Sequence, residues 1–245
     1  MNKTVKKYKL IHFTRKWHRY LGLILGIQFF LWTLGGLYFS WTNIDEIRGD
    51  NLKNENPTLV FDQDLVSPSL FLKHHLNSSD SLISLRVVSV LKKPFYEMVY
   101  NSKGSKEVKL INALNGKMRL PLNKEDAIGI AKEKLNVEAS VANVEFLTAT
   151  NGHHEYRERP LPAYAITFNA PASTTVYVSQ DYGNVQTFRN NKWRIFDFLW
   201  MMHTMDYQER DNLNNWLLRA FSIFGLVTIL SGFTLYYLTS KKWFR

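Results

Sequence analysis

The chain has 245 residues, 45% of them apolar, with 31 Lys and Arg against 21 Asp and Glu, a formal charge of +10, and no cysteine. The missing cysteine excludes disulfides, thiolate nucleophiles, Cys-ligated zinc, iron–sulfur clusters and covalent c-type haem attachment, so any redox or metal chemistry rests on His, carboxylates, Met or a non-covalent group. The charge does not point to nucleic acid, because every acidic residue lies between Asp45 and Asp211, where the basic residues nearly balance them; the excess sits at the two ends of the chain.

The amino-terminal excess is Lys3, Lys6, Lys7, Lys9, Arg15, Lys16 and Arg19. Behind it, Tyr20 to Trp41 carries no formal charge and is rich in Leu, Ile, Phe and Trp. At ~1.5 Å per residue this run reaches roughly 33 Å, enough to cross a hydrocarbon core of about 30 Å. It ends in Tyr38-Phe39-Ser40-Trp41 and not in the small residues of a cleavage site, so it reads as an uncleaved anchor. Its basic head belongs on the cytoplasmic side.

Residues 57–120 and 121–190 read as two copies of one unit, each helix, strand, strand, turn, strand. Pro94 to Asn101 aligns with Pro162 to Asn169 at a shift of 68, which also sets Val108 on Val176 and Leu110 on Val178; Gly116 meets Gly183 at one residue less. Ser67-Pro68 opens a short helix through His75. Asn123 caps a second helix, with Glu125 and Asp126 in its first turn and Lys132 and Lys134 in its last. Tyr96, Met98 and Tyr100 alternate as on a half-buried strand, and Asn115-Gly116 and Tyr182-Gly183 mark chain reversals. The loop from Gly152 to Pro160 reads as a polar extension of the second copy.

Next, Trp193, Phe196, Trp200, His203 and Tyr207 share a face at helical spacing, as in an amphipathic helix lying along a membrane surface. A second apolar run, Trp216 to Leu238, has Arg219 as its only charge, one turn in, and is followed by Lys241, Lys242 and Arg245. The expected fold is therefore an α+β membrane protein with two transmembrane helices flanking an extracytoplasmic pair of helix-plus-antiparallel-sheet repeats. The divisions are a basic cytoplasmic terminus (1–19), a first span (20–41), the first repeat (42–120), the second repeat (121–191), an interfacial helix and linker (192–215), a second span (216–238) and a cytoplasmic tail (239–245).

Two of the seven histidines stand near span ends. His18 lies two residues before the first span, with Gly22 leaving a gap on its face for a flat macrocycle, and Arg15 and Arg19 beside it to meet propionates or lipid phosphates. A membrane-interface His among snorkelling arginines explains the same residues. His203 sits among Trp200, Met201, Met202 and Met205, a surround that suits an apolar cofactor as well as a helix merely resting on the membrane. A symmetric homodimer would let each His find a second axial ligand in its mate, with His12 the only other imidazole near His18. Glycines in both spans permit close helix approach. Gln28 reads as a hydrogen bond to a neighbouring helix. His74-His75 reads as solvated surface, and His153-His154, beside Glu155 and Glu158, as a weak metal candidate.

AIGIAKEKL followed by PAYAITF and TTVYVSQDYGNVQTF resembles PepSY domains, and WHRYLGL with the Leu199-to-His203 stretch resembles the PepSY-associated transmembrane family, a likeness that covers essentially the whole chain. It implies non-covalent b-type haem on His18 and His203, and a bacterial inner-membrane protein with a periplasmic central domain. The activity implied is electron transfer from a cytoplasmic donor to an outer acceptor such as a ferric siderophore, as a transmembrane ferric reductase or an electron-transfer subunit. The competing reading is a non-enzymatic, membrane-tethered PepSY module that restrains a peptidase or assists complex assembly.

Overall fold

The computed structural model describes residues 3–55 and 64–240. The trio Lys241, Lys242 and Arg245, the side chain of Lys3 and the opening of the first repeat at 57–63 lie outside the described residues. The chain forms two compact units, Met1–Asn43 with Ile195–Arg245, and Ile44–Arg194.

The first unit is helical. Helix α1 (Lys3–Trp41) runs unbroken, since nothing in its sequence interrupts the ladder: no proline, and glycines spaced singly or as one pair. Thr33 and Ser40 return their hydroxyls to the carbonyls of Phe29 (2.8 Å) and Leu37 (3.0 Å), so neither needs water. The last helix of the chain (Trp216–Thr239) starts at Asn215, whose side chain accepts the amide of Leu218 at 2.8 Å. It packs antiparallel on α1: Leu25 and Thr228 are buried, and Phe29 lies against Gly225. Outside that stripe both helices expose large apolar side chains, Leu23 at 70% and Phe233 at 67% among them. Both are long and apolar enough to cross a membrane.

The second unit opens with α2 (Ile44–Arg48) and a 3-10 turn (Asp50–Leu52) and then builds the two copies. The first has α3 (Pro68–His75) and a sheet of β1 (Ser81–Val90), β2 (Lys93–Ser102) and β3 (Ser105–Asn112) in that order. The second has α4 (Lys124–Lys134) and a sheet of β4 (Val141–Leu147), β5 (Ala163–Phe168), β6 (Thr175–Ser179) and β7 (Val185–Arg189), all antiparallel neighbours. The helix α5 (Asn191–Thr204) and the final helix, α6, complete the chain.

The duplication reaches into the strand register. In the first sheet Leu82 pairs Tyr100 and Ser84 pairs Val99, with Ile83 bulged out; in the second, Val141 pairs Phe168 and Asn143 pairs Thr167, with Ala142 bulged out. These are the same positions under the shift of 68 on the central strand. A bulge is a specific local deformation that tends to persist within a family of sequences, so its recurrence argues for one template used twice. The register corrects two details: Val99 pairs Val108 as Thr167 pairs Thr175, and Glu97 pairs Leu110 as Ala165 pairs Tyr177, so Val108 corresponds to Thr175 and not to Val176, and Leu110 to Tyr177 and not to Val178. The second copy also has a strand the sequence reading missed, β7; its counterpart after β3 is one bridge, Met118 to Ile111. The expected reversals at Gly116 and Gly183 are present, at φ +70° and +62°.

Asn123 caps α4 as expected, accepting the amide of Asp126 at 2.7 Å. α4 then buries Ala127, Ile130 and Ala131 against Ile166, Phe168 and Val176 of its own sheet and against Val90, Phe95 and Leu110 of the other. The two copies thus share one core. For that reason β2 is not half-buried: Tyr96, Met98 and Tyr100 face Phe71 of α3, while Phe95 on the opposite face enters the α4 core. Glu97, fully buried, is paired with Arg86.

The loop from Gly152 to Pro160 is likewise not merely polar. Tyr156 is fully buried, stacks on Tyr177 (4.6 Å between centroids, planes 11° apart) and donates to the carbonyl of Pro160 at 2.7 Å. With Leu147, Ala163 and Ala165 it forms a small core on the face of the second sheet turned away from α4.

Candidate functional site

The sequence-predicted residues fall into two clusters, both within the helical unit. The first surrounds His18. Its Nδ1 lies 2.8 Å from Ser231 Oγ and 3.2 Å from the carbonyl oxygen of Thr228. Ser231 Oγ in turn donates to that same carbonyl at 2.7 Å. The serine proton is therefore spoken for, and both oxygens facing Nδ1 are acceptors. The neutral tautomer that suits this arrangement carries its proton on Nδ1 and leaves the Nε2 lone pair free. Metal-ligating histidines are arranged in this way, one nitrogen donating to a carbonyl and the other coordinating.

Four residues along α1, a Cβ at Gly22 would meet nothing within 4 Å, so the gap expected beside His18 is open. Arg15 and Arg19 are both exposed, Arg19 resting over the ring of Tyr20 at 5.3 Å. His12 is exposed too; six residues earlier, it stands ~9 Å along the helix and about 120° around it, so the two rings do not share a face. His18 is level with Ser231, eight residues short of the end of α6, and so lies about 12 Å inside that end and not at its rim.

The second cluster surrounds His203. Its ring stacks on Trp200 (6.0 Å, 12°), tilts against Trp32 (5.3 Å) and meets Phe39 edge-on (6.3 Å). Nδ1 is buried and has no hydrogen-bond partner among the described residues. Trp200 is itself fixed, stacked on Phe196 and donating to Asp211 at 3.2 Å. Gln28 donates to the Met202 carbonyl at 2.8 Å, the interhelical hydrogen bond that its position in an apolar run suggested. α5 stops at Thr204, because Met205 turns into the left-handed region (φ +54°). Tyr207 is thus beyond the helix and does not share its aromatic face, contrary to the helical-spacing expectation. The turn that follows is closed by Asp206, whose carboxylate accepts the amides of Gln208, Glu209 and Asn212, and by the pairing of Arg210 with Asp197.

Sequence reasoning missed Thr228 and Ser231 and the parts played by Trp32 and Phe39, and it read Gly232 only as permitting close helix approach. A serine one turn after a threonine in an apolar span was the available sign for the first pair; nothing in the sequence tied Trp32 and Phe39 to His203.

The remaining histidines have structural surroundings. His154 Nδ1 accepts the amide of Tyr156 at 3.0 Å, which holds the loop and takes that nitrogen out of any metal reading. His74 is exposed at the end of α3. Among the described residues no group of three or more His, Asp or Glu is placed to hold a metal ion. The most perturbed ionisable groups surround Glu155, which accepts from Tyr177 (2.7 Å) and, in a bidentate pair, from Arg194 (2.8 and 3.0 Å). Burial first, and then the Glu155 carboxylate, hold the Tyr177 phenol above its ordinary range; burial holds Tyr156 up, at about 12. Burial, and then the neighbouring Arg159, bring Arg189 down to about 10, with its guanidinium 3.9 Å over Trp193. These groups satisfy one another and read as the fastening of the long loop.

Comparison with protein-family models, with curated proteins and with solved structures gives no match.

Proposed function

We propose that the chain is a bacterial inner-membrane protein that holds b-type haem on His18 and His203 and takes part in electron transfer across the membrane. The observation that carries this reading is the hydrogen bonding of His18, whose Nδ1 faces the Thr228 carbonyl and Ser231 Oγ, an arrangement that suits an Nδ1–H imidazole with Nε2 as the ligand nitrogen; the open space at Gly22 is consistent with it. The resemblance of the span-end motifs to the PepSY-associated transmembrane family points the same way.

The two long helices, with apolar side chains exposed around most of their circumference, suit a lipid environment. The basic residues at both ends of the sequence favour both termini in the cytoplasm and the duplicated α+β unit outside. His203 is the weaker fit of the pair: its aromatic surround orients the ring, but no partner among the described residues fixes its tautomer. Arg15 and Arg19, exposed near His18, offer cationic groups to propionates or lipid phosphates. Bound haem supplies one-electron chemistry, taken from a cytoplasmic donor and delivered to an outer acceptor such as a ferric siderophore. Each imidazole gives one axial ligand, so a homodimer, or another subunit of a complex, completes the pair.

The second reading, a tethered module that binds a protein partner, is favoured by the repeated sheet with its recurrent bulge, which needs no cofactor to be built. The test is the absorption spectrum of the full chain, purified in detergent from haem-replete cells. A Soret band that sharpens and shifts on dithionite reduction supports the haem reading; a colourless protein with a stable co-purifying partner supports the module.

A further inference from the structure

The site around His18 contains two residues of α6 that the family resemblance does not supply. We infer that Ser231 and Gly232 are positioning residues for His18, setting which nitrogen it presents and the angle at which its ring stands. This rests on the haem reading for what the nitrogen binds, but not for the positioning itself.

Ser231 acts through donors and acceptors. The Thr228 carbonyl takes the Ser231 hydroxyl proton at 2.7 Å and also lies 3.2 Å from His18 Nδ1, while Ser231 Oγ lies 2.8 Å from the same nitrogen. Two acceptors converge on one nitrogen. With Ser231 replaced by Ala, only the longer contact, at 3.2 Å, remains to hold Nδ1–H. The ring then gains freedom to rotate and to exchange tautomers, and the basicity that a hydrogen-bonded Nδ1–H lends to Nε2 falls.

Gly232 acts through space. A Cβ there would come 3.2 Å from His18 Cε1, 3.9 Å from Nδ1 and 4.0 Å from Nε2. The closest of these is tighter than ordinary contact, so even alanine presses on the ring edge between its two nitrogens. Neither helix backbone can yield readily, since Leu25 and Thr228 pack the adjoining turns. Relief comes from tilting the imidazole, which moves Nε2. Glycine at 232 is thus a condition for the ring orientation that Ser231 secures, unlike Gly22 and Gly26, where an added Cβ meets nothing.

Two measurements test this on the full chain in detergent. Nitrogen-15 NMR of histidine-labelled protein, prepared without haem, reads the tautomer directly: His18 is expected as the Nδ1–H form in the wild type and as a mixture in Ser231→Ala, with Ser231→Thr restoring it. On haem-loaded protein, Ser231→Ala is expected to hold haem roughly tenfold or more weakly and to shift the midpoint potential upward. Gly232→Ala is expected to alter the electron paramagnetic resonance g-values of the His18 haem, and Gly26→Ala to leave them unchanged. A wild-type His18 found as the Nε2–H tautomer, or a Ser231→Ala variant with the wild-type tautomer and potential, overturns the inference. A protein that takes up no haem yet shows the expected tautomers sinks the haem reading and leaves the positioning intact.

Discussion

Tyr156 offers the sharpest test of how the extended loop is built. The side chain is fully buried, stacked on Tyr177 and hydrogen-bonded to the Pro160 carbonyl within its own loop. Replacing it with Phe keeps the ring and removes one hydrogen bond, leaving the Pro160 carbonyl without that donor, a loss of about 1 kcal/mol. Replacing it with Ala removes the ring, at about 3–5 kcal/mol for truncation of a buried aromatic, a range that already includes most of the stacking. The loop from 148 to 162 has few other apolar anchors, so the loss falls on local opening. In the regime where opening and closing outpace cleavage, proteolysis tracks the open population, and 1.4 kcal/mol is a factor of ten. Limited proteolysis within 152–160 of the full chain is therefore expected to be about five- to tenfold faster in Tyr156→Phe and at least a hundredfold faster in Tyr156→Ala. Equal cleavage of Tyr156→Ala and wild type would refute the view that this residue fastens the loop.

Other consequences follow from the same unit. Asn123→Ala removes the acceptor for the Asp126 amide and is expected to destabilise the unit by about 1 kcal/mol in denaturant unfolding. Gly183→Ala forces a side chain into the left-handed region and brings its Cβ to 2.8 Å from Leu110 Cδ1, so it is expected to cost about 2–4 kcal/mol; Gly104→Ala, at φ +83° with open space around it, should cost only the ~1–2 kcal/mol of backbone strain. The Tyr156 and Tyr177 phenols are held above their unfolded value near 10, so the stability they contribute is intact below about pH 10 and is lost as pH rises through about 12. Unfolding midpoints measured from pH 8 to 12 should fall over that interval, and less steeply in Tyr156→Phe.

The sequence disclosed those features that follow from local pattern. The two apolar runs became α1 and α6, Pro68 and Asn123 opened their helices, and the paired motifs became two matching sheets. Gln28, a lone amide in an apolar run, found its partner on another helix. What stayed hidden depended on tertiary contact. Nothing local says that Phe95 faces a helix from the other copy, or that Tyr156 is the one apolar anchor in a polar loop. The helical repeat of aromatics ran on to Tyr207 because periodicity carries no stop sign of its own; the left-handed turn at Met205 ended the helix first. At the candidate site His18 and His203 were legible as ring nitrogens near span ends, but the partners that Nδ1 of His18 meets stand more than 200 positions away.

Whether His18 and His203 hold haem is read most directly from haem per chain in the purified full-length protein and its variants. Pyridine haemochrome on wild type, His18→Ala, His203→Ala and the double variant counts the cofactor without reference to any substrate. The account predicts haem in the wild type, a partial and spectrally distinct loss in each single variant, and none in the double variant. A wild type without haem, or a double variant that retains the wild-type amount, would contradict it.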